Sequence, residues 1–470
     1  MMKKVCIIGG GISGLTVAYR LRKYYGEACE VVLIEKENRL GGTIRTERDS
    51  GFTIEGGPDC FITEKPWARE FCSELNLADR LTGTIPEHKK TFILWQSRLH
   101  QIPEGLILMI PTRFISLLTT GLFSITGKLR MGMEFLIPKK KTDEDESLAG
   151  FVRRRFGEEA LERIAEPLVA GVHAGDPDNM SVKSSFPRFI DMERKYRSLI
   201  LGMLKMRRYA SKRSSGNSGD ASMFMTLKNG LSELIETLAE LIGPERILID
   251  NEVVKIQRTD KEFRVLLNNS SEIPCTAVVF AIPSYSAGKL LTGLNPELPV
   301  LLNKIPFVST ATVTLVYDKK GFNHDLDGYG FVIPKKENRR IMAVTWTSSK
   351  FPCRVPEGYV MLRSFVGGAN NQEMVSLSDE ELLRVVHDEL KVIMGIHSTP
   401  HLTRIYRWFK AMPQYTIGHE ARLQLIDREM EKLPGIFLAG SSYRGIGISD
   451  CVKNATETAD RVKNYIAKIP

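Results

Sequence analysis

The first forty-five residues constrain the fold more than any other stretch of the chain. Val5-Cys-Ile-Ile8 is a short apolar run of the kind buried on both faces in a parallel strand. It breaks into Gly9-Gly10-Gly11-Ile12-Ser13-Gly14, a G-x-G-x-x-G spacing, and continues with the helical spacing of Leu15, Ala18, Tyr19 and Leu21. The order is strand, glycine turn, helix, with the turn at the helix's positive end. Gly9 permits the tight turn, Gly11 lets a pyrophosphate approach the backbone, and Gly14 lets helix and strand pack closely. A second apolar run, Val31 to Ile34, ends in Glu35, 21 residues after Gly14, where a carboxylate accepts hydrogen bonds from ribose hydroxyls. A glycine turn that merely packs has no need of an acid at that spacing, and the acid repels a 2′-phosphate. These residues predict a dinucleotide site.

Lys36 and the stretch Arg39-Leu-Gly-Gly42-Thr-Ile-Arg45 carry the site past the acid, so that backbone can approach a second part of a long cofactor. That extension suits FAD and is superfluous for a nicotinamide cofactor. With its glycine triplet, acid and Gly-Gly pair the chain resembles the amine oxidase and protoporphyrinogen oxidase superfamily of flavoproteins. The resemblance implies that Glu35 holds the adenosine ribose, with Lys36 beside it, and that Arg39 and Gly42 border the diphosphate and flavin side. Glu55-Gly56-Gly57-Pro58-Asp59-Cys60-Phe61 is similar to a stretch that passes along the flavin in the protoporphyrinogen oxidase branch, which brings in Gly57, Pro58 and Asp59. In the bacterial part of that branch a basic residue at the place of Lys65 faces a substrate propionate. An exposed lysine with no such task is the plain alternative.

At 470 residues the chain is too long for one core and implies two or three domains. A hydrophobic share of 43% with 26% charged residues is ordinary for a soluble globular protein. The seven cysteines are scattered without a Cys-x-x-Cys. That fits free thiols in a reducing compartment and indicates neither a disulfide framework nor a zinc site. The opening Met-Met-Lys-Lys mimics a signal peptide, but the apolar run gives way to glycines after four residues, so a cytoplasmic location is expected. The net charge of +9 is uneven: 19 basic against 13 acidic residues lie between Lys128 and Arg213, which accounts for +6 of it. A solvated helical surface is the plain reading; a face toward anionic lipid or a polyanionic substrate is the sharper one. No nucleic-acid-binding module accompanies the charge, so no nucleic-acid partner is expected.

From about residue 99 the pattern turns helical. The uncharged run from Phe114 to Gly127, about 14 residues, is too short to cross a bilayer. With Leu106 to Ile110 it suggests an amphipathic surface on lipid or the wall of a greasy channel; a core helix is the alternative. In Glu166-Pro167-Leu-Val-Ala-Gly171-Val-His173-Ala-Gly175-Asp176-Pro177 the glycines are expected to break a helix into a turn. The stretch is similar to the "P-L-x-x-G-V-x-A-G-D" of porphyrinogen oxidases, which implies that Gly171 and Gly175 lie by the substrate. His173 is expected to pack and is assigned no proton-transfer role. Ser211 to Asp220 is a polar, glycine-rich loop that marks a boundary.

Leu227 to Leu234 is expected to start a helix, followed by short strands at Ile247, Val253–Ile256, Phe263–Leu266 and Ala277–Ile282 around an Asn-Asn-Ser-Ser turn. The resemblance places the backbone of Val253 against the adenine. Thr310–Val316, Ile341–Trp346 and Tyr359–Phe365 alternate like half-buried antiparallel strands. A helix with Ser378 as N-cap and apolar spacing at Leu382, Val385, Val386 and Leu390 follows. Near the C-terminus, Gly435-Ile-Phe-Leu-Ala-Gly440 and Gly445-Ile-Gly447-Ile448-Ser449-Asp450-Cys451 repeat the order strand, glycine turn, helix. Porphyrinogen oxidases carry a similar "P-Q-Y" (here Pro413 to Tyr415) and a similar "G-x-G-I-x-D-C". By that resemblance Trp408, Gly440, Gly445, Gly447, Ile448 and Ser449 belong to the cofactor set. Ser441 stands where many flavin oxidases have an acid, so no carboxylate is assigned there.

The expected architecture is α/β plus α+β. A Rossmann-like FAD-binding domain takes 1–62, 222–290 and 403–470. An antiparallel-sheet substrate domain takes 63–98 and 291–402, and a helical membrane or channel domain takes 99–221. The resemblance implies oxygen-dependent, six-electron oxidation of coproporphyrinogen III or protoporphyrinogen IX in heme biosynthesis, in three two-electron cycles, with hydrogen peroxide released. Hydride leaves a bridge carbon for flavin N5, and no side chain is assigned a catalytic role. Its implied partners are the porphyrinogen, dioxygen, an anionic membrane touched from the cytoplasmic side, and a ferrochelatase that takes the product; monomer and homodimer both stay open. A different FAD-dependent amine oxidase or a carotenoid desaturase-like enzyme is one alternative, and a non-enzymatic FAD-bearing membrane partner is another.

Overall fold

The computed structural model describes residues 3–85, 89–103, 105–107, 110–111, 114–213, 222–260 and 262–469. The chain forms two compact units, Met1–Gly83 with Met223–Pro306 and Glu420–Pro470 in the first, and Thr84–Ser222 with Phe307–His419 in the second. Residues 99–221, expected as a helical domain, fall within the second unit, and 63–83, expected in the substrate domain, fall within the first.

The first unit is built on a parallel sheet whose strands run, in spatial order, Ile247–Leu248, Cys29–Ile34, Lys3–Ile8, Ala277–Phe280 and Ile436–Leu438. Val5, Ile7, Val31 and Leu33 are fully buried, as a sheet covered on both faces requires. Each such side chain contributes about 1.5–3 kcal/mol. Helix Ile12–Tyr25 turns Leu15, Ala18 and Leu21 inward, and helix Ile448–Ala467 does the same with Val452, Ala455, Ala459, Val462 and Ile466. That i, i+3/i+4 spacing is what an amphipathic helix presents to a core. An antiparallel meander, Val253–Arg258, Phe263–Leu267 and Glu272–Cys275, turns at the expected Asn-Asn-Ser-Ser.

The second unit holds a seven-stranded sheet in the order Leu402–Pro413, Phe307–Asp318, Tyr359–Gly367, Ala343–Trp346, Gly330–Val332, Thr91–Trp95, Arg98–Gln101. All neighbours are antiparallel except Gly330–Val332 with Thr91–Trp95. One face buries Val313, Leu315, Tyr317, Trp346 and Leu362 against Leu382, Val386 and Leu390 of helix Asp379–Met394. That helix starts at the expected Ser378 with a full capping box to Glu381. The helical layer has its own core around Phe151, Phe156, Ile164, Phe189 and Met192. Within it Arg155, fully buried, pairs with Glu134 and donates to the carbonyls of Ile137 and Arg197, so the buried cation is neutralised and hydrogen-bonded.

Three local expectations change. Gly171 does not break a helix: Glu166–His173 runs through it and ends at Ala174, in the left-handed region at φ 49°. Leu227 closes a strand, Phe224–Leu227, and the helix begins only at Ser232. The uncharged run from 114 to 127 is split between helices Phe114–Thr119 and Ile125–Gly132. Among the described residues no helix is long and apolar enough to cross a membrane.

Helix Glu166–His173 follows one π turn, Leu161–Ala165. There Glu166 accepts the backbone N–H of Lys335 at 2.9 Å. Burial pushes its carboxyl up from 4.5 to about 7, against the opposing pull of that N–H and with Asp176 and Asp178 adding to the rise. A raised carboxyl pKa means that the folded state binds the proton more tightly than the unfolded one. The associated stability is present below 4.5 and is lost as pH rises toward 7. Glu166→Gln removes the ionisation and keeps the acceptor. Its melting temperature should therefore gain on the parent's as pH climbs from 4.5 to 7 and hold a constant lead above that; a pH-independent difference would contradict the assignment.

Candidate functional site

The site is built at one end of the parallel sheet in the first unit. Gly9 closes the turn after Lys3–Ile8 at φ 108° and donates to the Ile34 carbonyl at 2.8 Å. Gly14 packs so closely that a Cβ there would stand 1.9 Å from the Gly9 oxygen. Between them Gly10 donates to Glu35 Oε2 at 2.6 Å, and Glu37 N–H reaches the other carboxylate oxygen at 2.9 Å. The Glu35 side chain, 8% exposed, is thus fixed by two backbone donors with lone pairs to spare.

Gly11 is the N-cap of helix Ile12–Tyr25 and offers no side-chain cap. A Cβ built on it meets no atom within 4 Å, so its backbone borders open space. The Arg39–Arg45 loop lies alongside: Gly41 donates to the Gly10 carbonyl at 2.8 Å, and a Cβ on Gly42 would stand 3.4 Å from the Gly11 Cα. Arg39 ties that loop by donating to the carbonyls of Gly42 (2.6 Å) and Leu40 (3.2 Å). Burial, with Arg45 nearby, draws its pKa below the ordinary value.

A second uncapped helix joins the first. Helix Ile448–Ala467 has Gly447 as its N-cap, again without a side-chain cap. Cys451, in its first turns, meets the Ser13 side chain. Its thiol also donates to the Ile446 carbonyl at 3.6 Å. Burial pushes that thiol up to about 12, with Ser13 opposing, so it stays protonated. Gly440 has open space where a Cβ would stand, as Gly11 does. Gly445, at φ 107°, packs its backbone on the Asp450 side chain. Gly57 abuts the Thr43 carbonyl, and Pro58 and Asp59 are half-buried beside it in the chain. Two helix N-termini with free N–H groups, open backbone at Gly11 and Gly440, and a fixed carboxylate at Glu35 make a cradle suited to a long diphosphate cofactor.

The remaining candidates are spread over both units. Lys36 is exposed and meets Glu37 at 3.3 Å; Val253 is buried at the head of the meander, paired with Leu267. Trp408 stands on strand Leu402–Pro413 of the second unit, opposite Thr310. Gly171 faces Val332, where a Cβ would come within 2.9 Å of a methyl group, and Gly175 packs against Gln414 and Met180. His173 stands edge-on to Phe186, ring centroids 5.7 Å apart. Lys65 is bound to Asp450 at 2.6 Å, and Ser449 Oγ donates to the Lys65 carbonyl at 3.1 Å. The sequence motifs contain Asp450 and Gly41 without assigning either a role of its own; Asp450 is 385 residues from its partner, and no local pattern announces such a pair.

The profile of flavin-containing amine oxidoreductases matches residues 12–463. This chain belongs to the flavin-containing amine oxidoreductase family. It is an FAD-dependent oxidoreductase of mixed α/β fold. Among its relatives within the family are proteins named coproporphyrinogen III oxidase. The one from Bacillus subtilis (strain 168) is 35% identical, aligned over 99% of this chain and 98% of its own. The one from Staphylococcus aureus (strain NCTC 8325 / PS 47) is 32% identical over 98% and 99%. A crystal structure from Exiguobacterium sp. 255-15, provisionally assigned as a protoporphyrinogen oxidase, superposes with a TM-score of 0.86 at 31% identity, covering 99% of both chains. Cyclohexylamine oxidase from Brevibacterium oxydans shares the fold at a TM-score of 0.70 and 15% identity.

The two glycines of the first turn should fail differently on substitution. Gly14→Ala forces its methyl into the Gly9 carbonyl and should cost at least about 1–3 kcal/mol of stability. Gly11→Ala should match the parent's melting curve when both are stripped of flavin, and yet retain less FAD than the parent, read from flavin absorbance after gel filtration. Equal FAD content in Gly11→Ala and the parent would remove Gly11 from the cradle.

Proposed function

We propose that the chain oxidises coproporphyrinogen III to coproporphyrin III, a six-electron oxidation in heme biosynthesis, with dioxygen as acceptor and hydrogen peroxide as product. Protoporphyrinogen IX is its second substrate. The observation that carries this reading is near-full-length identity of 35% and 32% to relatives named for that first reaction. Plant relatives named protoporphyrinogen oxidase align over almost the whole chain at lower identity, 26% for one from Arabidopsis thaliana.

FAD, when bound, supplies the two-electron acceptor that is returned to its oxidised form by dioxygen. The chain's own residues bind and orient. Glu35 takes the adenosine ribose, the N–H groups of Gly11 to Gly14 and of Gly447 to Ser449 take the diphosphate and its neighbours, and Arg39 keeps the Gly41-Gly42 loop against them. Lys36, Gly57, Pro58, Asp59, Val253, Trp408, Gly440 and Gly445 complete the proposed cofactor set. Lys65 meets a substrate carboxylate, and Gly171 and Gly175 stand by the tetrapyrrole. Aromatisation drives the oxidation, so the protein's task is to hold a bridge carbon at about 3.5 Å from its acceptor rather than to supply a strong acid or base.

A peripheral position on an anionic membrane, from which product passes to a ferrochelatase, belongs to the same reading. It is supported by exposed Leu118, Ile125, Leu129, Met133, Phe135 and Leu136, all on or beside the helices at 114–136. Lys139, Lys140 and Lys141 follow directly. Apolar side chains flanked by lysines suit an anionic interface.

One preparation tests these statements. The purified yellow protein is given coproporphyrinogen III, protoporphyrinogen IX and simple amines while porphyrin fluorescence and peroxide are followed, and is spun with phosphatidylglycerol vesicles. Porphyrin should form fastest from coproporphyrinogen III, with three peroxides per porphyrin, and part of the protein should sediment at low salt. Turnover of amines alone would replace the reading with an amine oxidase. Sedimentation without any turnover would favour a non-enzymatic FAD-bearing partner.

A further inference from the structure

The Lys65–Asp450 pair carries a consequence for how a carboxylated substrate is taken up. Asp450 lies in the first turn of helix Ile448–Ala467, where the uncapped N-terminus stabilises an anion. Its side chain is 16% exposed, whereas that of Lys65 is 42% exposed. Gly445 packs on the Asp450 side chain, so the carboxylate is seated under the Gly445–Gly447 turn. The backbone around Lys65 is held independently of the ammonium. Ser449 Oγ donates to the Lys65 carbonyl at 3.1 Å, and one residue past Pro66 the Trp67 ring sits 4.6 Å from the Lys453 ammonium on the next turn of the same helix.

The pair is therefore asymmetric. Asp450 is fixed and stays stabilised by its helix when Lys65 leaves, while the ammonium is on a long exposed side chain whose backbone needs no help from the ion pair. We propose that Asp450 is a resident carboxylate that occupies Lys65 in the free enzyme and is displaced from it by a carboxylate of the substrate. This rests on the reading of the substrate as a carboxylated porphyrinogen. Asp450 is on this account a specificity-determining residue: a substrate that cannot replace it with a carboxylate gains nothing from Lys65.

The exchange fixes the sign of an experiment. If substrate must first break the pair, removing the charge of Asp450 frees Lys65 and tightens binding; if Asp450 merely positions Lys65, removing it loosens binding. An ion pair whose ammonium is open to solvent, as here, is worth up to about a five-fold change in an equilibrium. In the FAD-loaded enzyme, Asp450→Asn should lower KM for coproporphyrinogen III by about two- to five-fold. Lys65→Gln should raise it, and the double variant should match Lys65→Gln alone. The tetramethyl ester of the same porphyrinogen should show no KM difference between Asp450→Asn and the parent.

Binding of coproporphyrin III, followed by quenching of its fluorescence, gives the same comparison without turnover. An unchanged flavin spectrum and melting temperature check that the variant is folded. A raised KM and weaker porphyrin binding in Asp450→Asn, or an equal shift with acid and ester, would overturn the exchange. Failure of the parent itself to bind or oxidise any porphyrin would instead sink the substrate assignment.

Discussion

Two helices, Ile12–Tyr25 and Ile448–Ala467, begin at glycines that cannot cap them, and the rest of the first unit depends on that shared deficiency. Each leaves N–H groups without an intrahelical partner, and the positive ends of both dipoles lie close enough for Ser13 to meet Cys451. Serine, threonine or aspartate at either N-cap would stabilise its helix by a few tenths of a kcal/mol over glycine. Glycine at both positions forgoes that and leaves donors for an anion. A diphosphate bridging two such helix ends satisfies both at once, and the fold supplies them from opposite ends of the sequence.

The surrounding residues hold this arrangement rather than add charge to it. Glu35 is fixed by backbone N–H groups of Gly10 and Glu37, which leaves its outer lone pairs aimed by the fold and not by a flexible side chain. Arg39 spends its guanidinium on carbonyls of its own loop. Cys451 stays a neutral thiol and anchors the Gly445–Gly447 turn from below. Lys65 and Asp450 neutralise each other at the same turn. The cradle is thus assembled largely from backbone dipoles, with the Lys65–Asp450 ion pair beside it.

What could be read in the sequence follows contact range. The strand, glycine turn, helix, strand and acid of residues 5–35 are linked by neighbours in the chain, and the structure reproduces their order. Ser378 was legible as an N-cap for the same reason. The misreadings come from residues whose conformation is set by distant partners. Gly171 looks like a helix breaker, yet it lies within a helix, at a point where Val332 leaves no room for a side chain. Leu227 pairs with Leu81 in a sheet and so is a strand residue despite its helical spacing. Lys65 reads as a lone cation because Asp450 is far away in sequence, and only the fold reveals that its charge is already matched.

The central claim is that this one unit binds a two-part cofactor through the glycine-capped helix ends and Glu35 together. Its most direct test is titration of the apoprotein with FAD and with FMN, followed by quenching of flavin fluorescence. FMN lacks the adenosine ribose and the second phosphate. The account predicts tight, stoichiometric uptake of FAD and weaker binding of FMN by at least a hundred-fold, roughly the 3 kcal/mol expected of lost charge-assisted hydrogen bonds. Equal affinity for the two flavins, or no uptake of either, would contradict it.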